Sequence, residues 1–304
     1  GVVTTLTGCL DDADDSDGRG EGVDDADEPA DDPEEVDDED RDETSNDAEL
    51  TPLTPTSEWS QFQADGANTG ATTAVGPKGG GRVRWWSDTF GVSTGPVIED
   101  ETVYIGSGSN HQSVFAFDRD TGDRLWQTEV GDSVDDIDRT LAVDDGTVYV
   151  STDDVYALDA ETGEEEWSER VDSSWGITFA NGTVFAAAGG GGPIVALDGT
   201  SGETRWSREL HTITAPTVAH GYVFAVGNDT LMALDAESGE TEWTAPIDRA
   251  GGPPTVADGT VVVGTRENLF AHDVTTGDHE WTLDGRFRNS DIAASDGTLY
   301  LTGR

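Results

Sequence analysis

The chain has one cysteine, one methionine and one lysine, and its 16 basic side chains face 64 acids. The lone Cys9 excludes an internal disulfide and any cysteine-pair metal or redox motif. The shortage of basic residues, at a formal net charge of −48, leaves no stripe able to neutralise phosphates, so nucleic acid is excluded as a partner. No run of about 20 apolar residues reads as a membrane-spanning helix. Helical periodicity is missing throughout, as are a Gly-x-Ser-x-Gly elbow, a phosphate loop and a zincin motif. The five histidines, His111, His211, His220, His272 and His279, never fall at a paired-ligand spacing. His220 reads as a turn residue, and His272 and His279 as replacements of ordinary residues inside a repeat.

That repeat is what the sequence has in abundance. Ala-x-Asp-x-x-(Thr/Ser)-Gly-x-x-x-Trp occurs five times, ending at Trp126, Trp167, Trp206, Trp243 and Trp281, with glycines at Gly122, Gly163, Gly202, Gly239 and Gly277. The internal offsets never change, while the tryptophans step by 41, 39, 37 and 38 residues. A rigid motif with elastic spacers is one supersecondary unit repeated. Each unit carries β-branched and aromatic runs bounded by Gly and Asp, such as Gly146-Thr147-Val148-Tyr149-Val150 and Val155-Tyr156-Ala157-Leu158. Glu161-Thr162-Gly163 reads as a tight hairpin whose glycine supplies a positive φ. Four strands in about 40 residues predict an all-β fold, a β-propeller of four-stranded antiparallel blades. The repeated Trp then fills the space between blades, each contributing about 4–6 kcal/mol of gross burial.

The motif resembles the pyrroloquinoline-quinone-like repeat of quinoprotein propellers, in which the Gly and Trp dock adjacent blades. The resemblance runs from about Trp59 to the C-terminus. That repeat family includes quinone-dependent dehydrogenases and the propeller lipoprotein of the outer-membrane β-barrel assembly machinery, which binds no quinone. For a dehydrogenase the resemblance implies a carboxylate base, a calcium held by Glu, Asn and Asp, an aromatic floor under the quinone and often a vicinal disulfide. With one cysteine that disulfide is impossible, and Trp175 is the only weak candidate for a floor. No cofactor is expected; quinone and calcium enter only under the enzyme alternative.

Six strand starts and six repeat-ending tryptophans predict six blades, if Trp86 is counted as the sixth Trp. One blade is then closed by both termini, with Trp59-Ser60-Gln61-Phe62 supplying its missing third strand. Eight blades is the alternative if the chain is a fragment.

Leu6-Thr7-Gly8-Cys9 fits a lipobox, which makes residues 1–8 the end of a lipoprotein signal peptide and Cys9 the lipid-bearing residue. Residues 9–57 read as a disordered acidic tether, and 58–304 as the propeller. The expected location is the outer face of the cell membrane, anchored and not spanning. Residues 1–50 hold 22 of the 64 acids, so the propeller itself stays strongly acidic. Such a lysine-poor surface resembles that of extreme halophiles: molar salt shortens the Debye length to about 3 Å and removes the self-repulsion.

Site chemistry falls to loops at the channel mouth: 107–113 with Asn110 and His111, 132–139 with Asp135, Asp136 and Asp138, 172–175, 248–249 and 286–289. The three aspartates are weak metal candidates, and ordinary surface acidity explains them better. Asn181 and Asn228 head glycosylation sequons, and both also suit turns. With no complete catalytic constellation, the sequence favours a scaffold that binds an unidentified membrane or cell-surface protein. The alternatives are a quinone- and calcium-dependent dehydrogenase of alcohols or sugars, or a ligand sensor.

The charge predicts that the folded domain is lost in low salt and regained in multimolar KCl. Near- and far-ultraviolet circular dichroism, followed as salt is diluted to about one Debye length of 10 Å, checks this; an unchanged spectrum contradicts it.

Overall fold

Every repeat motif folds the chain back on itself in the same way. Asp159 Oδ1 accepts hydrogen bonds from the backbone N–H of Glu161 (3.1 Å) and Thr162 (2.7 Å), and Gly163 N–H donates to Asp159 O at 2.7 Å. Gly163 closes the turn at φ 74°, which only glycine adopts without strain. Asp118, Asp198, Asp235 and Asp273 repeat this arrangement. The computed structural model describes residues 60–61, 65–67, 83–88 and 91–301, except 109–111, 132–139, 172–173, 189–190, 212–213, 228, 249, 288–291 and 296.

The first blade holds β1 (Val97–Glu99), β2 (Thr102–Ser107), β3 (Ser113–Asp118) and β4 (Arg124–Glu129). The second holds β5 (Leu141–Asp144), β6 (Thr147–Ser151), β7 (Asp154–Asp159) and β8 (Glu165–Arg170). The third holds β9 (Ser174–Ala180), β10 (Thr183–Ala188), β11 (Pro193–Asp198) and β12 (Thr204–Glu209). The fourth holds β13 (Thr217–Ala219), β14 (Tyr222–Val226), β15 (Thr230–Asp235) and β16 (Thr241–Pro246). The fifth holds β17 (Thr255–Ala257), β18 (Thr260–Gly264), β19 (Asn268–Asp273) and β20 (His279–Asp284), and a sixth sheet pairs β21 (Ile292–Ser295) with β22 (Thr298–Leu301).

All pairings follow chain order and are antiparallel. The inner strands β1, β5, β9, β13, β17 and β21 pack side by side in that order. This is an all-β propeller. The second and third strands of each blade are its core: Val148, Val155, Ala157 and Leu158 in the second blade are fully buried, as expected of a sheet covered on both faces.

A β-bulge recurs in all five complete blades where the third strand meets the fourth, as between Ala116/Trp126 and Phe117/Arg124. The extra residue rotates the tryptophan beside it toward the following blade. Trp126 lies over Gly163, Trp167 over Gly202, Trp206 over Gly239 and Trp243 over Gly277; a Cβ on any of these glycines would sit 2.5–2.7 Å from the indole. Each indole N–H also donates to the carbonyl one residue after the next blade's motif Asp: Ala160, Gly199, Ala236 and Val274, at 2.9, 2.9, 3.0 and 3.2 Å. Trp281 packs partly buried beside Leu269 and Ile292.

The first blade receives a tryptophan too, and it is Trp85, not Trp86. Trp85 lies over Gly122, stacks on Phe117 at 6.1 Å and donates to Arg119 O at 2.8 Å. Trp86 is 74% exposed. The expected place of 59–62 also needs correction: Gln61 bridges Ala142 on β5, and Ser60 accepts from Val143, so these two residues belong to the axis and not to the third strand of a closing blade.

Trp85→Ala is expected to cost about 3–5 kcal/mol and Trp86→Ala less than about 0.5 kcal/mol. Thermal unfolding of both variants in multimolar KCl checks the assignment.

Candidate functional site

A propeller's functional positions are its axis and the loops around the channel mouth, and here the axis carries polypeptide. In the second to fifth blades the backbone N–H three residues before the first turn glycine (Gly146, Gly182, Gly221, Gly259) meets an acceptor from the N-terminal part of the chain. Val143 donates to Ser60 O (2.7 Å), Val218 to Gly66 O (2.6 Å) and Val256 to Ala67 O (2.9 Å). In the third blade the carboxamide of Gln61 stands in for backbone: Phe179 N–H donates to its Oε1 and its Nε2 donates to Phe179 O, both at 3.1 Å. Gln61 and Ala67 are buried, and a Cβ on Gly66 would lie 3.0 Å from Val218 O. An inner strand is a sheet edge, and an unpaired N–H there is costly once buried. Residues 60–61 and 65–67 therefore act as a belt that satisfies the same edge position in four successive blades.

Beside the belt, threonine hydroxyls stitch inner strands together. Thr178 donates to Pro216 O and Thr217 to Pro254 O, each at 2.7 Å, and Thr255 to Ile292 O at 3.5 Å. The axis thus offers amides, hydroxyls and aliphatic side chains. Among the described residues no three His, Cys, Asp or Glu side chains gather to hold a metal ion.

The loop candidates fare differently. Asp135, Asp136, Asp138, Asn110, His111 and Cys9 lie outside the described residues. Trp175 belongs to the inner strand β9, and its side chain lies outside the described set. Asn181 occupies the turn between β9 and β10 at φ 50°. Gln61, whose side chain makes two axial hydrogen bonds, was not singled out by its sequence context. Its only signal is a polar residue in a short apolar–polar run just before the first repeat.

The electrostatics divide into turns and one buried histidine. Hydrogen bonds from Thr121 hold the Asp118 carboxyl below the usual carboxylate range, and those from Thr162 and Ser238 do the same for Asp159 and Asp235. The Arg205 guanidinium leads at Asp198, bringing it down to about 2. These carboxylates are committed to their own turns. His272 takes the place held by Phe117, Leu158, Leu197 and Leu234 in the other repeats. It is buried, its Nδ1 lies 3.0 Å from Gly277 O, its Nε2 has no hydrogen-bond partner among the described residues, and His279 packs edge-on at 5.6 Å. Burial first, then the neighbouring His279, holds its imidazole below the ordinary value, with Gly277 O and Glu280 opposing.

The sequence matches the family described as outer membrane protein assembly factor BamB over residues 64–128, 110–213 and 192–303. The chain belongs to the BamB family. Comparison with characterised protein sequences gave no match. Among solved structures, BamB from Moraxella catarrhalis is similar at a TM-score of 0.58 and 21% identity, covering 70% of this chain and 71% of that one. The computationally designed protein Ika8 gives 0.60 at 17% identity, covering 70% and 67%. The quinohemoprotein alcohol dehydrogenase from Comamonas testosteroni gives 0.60 at 18% identity, over 76% of this chain but 50% of the enzyme. At these identities the structural likeness is one of fold. BamB-type and dehydrogenase propellers share it equally, so it does not choose between them.

His272 yields a pH prediction. The unfolded chain takes up a proton near the ordinary value of 6.5 that the folded His272 resists, so stability is full above that pH and falls below it. His272→Leu is expected to raise stability by about 1–3 kcal/mol through the removed unpartnered nitrogen. The gain should be larger at acid than at alkaline pH; equal gains in melting scans at both would contradict the assignment.

Proposed function

We propose that this chain is a lipid-anchored extracytoplasmic propeller that serves as a protein-binding, scaffolding module. The observation that carries this reading is the BamB-family match across 64–303, which spans all five complete blades. Three further features support it. The tryptophan docking makes a rigid platform, the belt commits the axis to the chain's own backbone, and the turn aspartates are used up within their motifs. Cys9 in its lipobox supplies the anchor and residues 9–57 the tether; about 45 flexible residues reach roughly 35–40 Å. The outer face of the cell membrane is the corresponding location, with folding held by high salt. The partner is a membrane or cell-surface protein.

Affinity capture from membranes in multimolar KCl, using the full chain with its lipidated Cys9, tests the reading. The expected result is a reproducible, near-stoichiometric protein partner, with Cys9→Ala released into the soluble fraction. Saturable, calcium-dependent binding of pyrroloquinoline quinone with no protein partner would overturn it in favour of the dehydrogenase.

A further inference from the structure

Four docking tryptophans rest on an apolar side chain, and the fifth meets a histidine. The residue just before the motif Asp packs with the incoming indole: Phe117 with Trp85, Leu158 with Trp126, Leu197 with Trp167 and Leu234 with Trp206. Trp243 docks over Gly277 in the same way, and there the position is held by His272.

This seam differs a second time, in what holds the docking glycine. Two residues past the docking tryptophan, Thr128 Oγ1 donates to Gly163 O and Arg208 Nε to Gly239 O, each at 2.6 Å across the blade boundary. Between the fourth and fifth blades that place is Ala245, whose side chain has no donor. His272 Nδ1, from the fifth blade itself, meets Gly277 O at 3.0 Å instead. A carbonyl only accepts, so Nδ1 carries the proton and the buried Nε2 is a bare lone pair. Among the described residues β18 sets Val261 opposite the ring, and the charged groups that act on it are His279 and Glu280, both from β20.

We infer that the seam between the fourth and fifth blades is an acid-operated joint: protonation of His272 frees Gly277 from Trp243 while the other seams stay closed. A proton on Nε2 creates a buried cation and a donor that finds no acceptor in the closed seam. The imidazolium is relieved by turning out toward water and Glu280, which takes it from beneath the indole and away from Gly277 O. Burial favours the neutral ring, so the joint opens on the acid side of the ordinary value of 6.5. The other four seams carry Phe or Leu at this position and have nothing there to titrate. His220 also has buried, unpartnered ring nitrogens among the described residues, but it lies in the turn between β13 and β14.

Amide exchange of the full chain in multimolar KCl, at about pH 8 and about pH 5 and corrected for intrinsic rates, tests this. Residues 241–246 and 273–278 are expected to lose protection about tenfold or more at the lower pH, while 124–129 and 159–164, at the seam between the first two blades, keep theirs. Both turns contain the motif aspartate, so its titration cancels in the comparison. His272→Leu should abolish the difference between the seams, whereas His279→Thr and His220→Asn should leave it in place. An equal acid response at the two seams overturns the joint, and needs no variant to fold. A difference that survives His272→Leu, or that disappears with His220→Asn or His279→Thr, overturns it as well.

Discussion

One contact organises this propeller: an indole ring laid on a glycine of the next blade, its N–H bonded to that blade's backbone. The contact needs three things at once. The glycine must hold positive φ with no Cβ, the carbonyl after the motif Asp must face the ring, and the bulge in the outer strand must turn the Trp that way. All three lie within the stretch from motif Asp to Trp, so no residue there can be inserted or lost. The inter-blade loops carry no such demand, which is why the tryptophan steps vary while the motif offsets do not. Each blade's docking tryptophan is therefore completed by its neighbour, and stability is shared along the array.

The belt solves the complementary problem at the axis. Tryptophan docking seals the outer part of each blade interface but leaves the inner edges with backbone donors that face inward. Residues 60–61 and 65–67 supply acceptors at one equivalent position in four blades, and Gln61 imitates a strand with its side chain where its backbone is engaged at Ala142. Threonine hydroxyls on three of the inner strands bond the next strand's carbonyl. The same backbone requirement is met by two unrelated devices.

The legible part of the fold was that written in rigid local spacing. Asp-to-Gly and Gly-to-Trp offsets are short, so turn and docking residue could both be read from the letters. Trp85 was legible by the same rule, since Gly81 precedes it by the four residues that separate Gly122 from Trp126. Counting the last Trp of a Trp-Trp pair ignored that offset. The belt was not legible, because Gln61 meets Phe179 across 118 residues and no periodicity announces a pairing of that range. His272 looked like a neutral replacement because sequence shows the substitution but not the burial that leaves its Nε2 unpartnered. Of the loop candidates, Trp175 enters the described structure by its strand placement and Asp248 by the hydrogen bond it accepts from Asn268.

Where such a molecule recognises a partner follows from what it has already satisfied. Five blades have their second strands paired on both sides, their tryptophans are docked or packed, their turn carboxylates are hydrogen-bonded, and much of the axis is belted. Recognition is then left to groups that internal structure does not consume, and the channel-mouth loops are the segments that vary. The loops are polar and differ from blade to blade, which suits selectivity. In a chain this acidic, long-range attraction at molar salt is screened within about 3 Å. Contact there rests on short-range terms, hydrogen bonding and apolar burial.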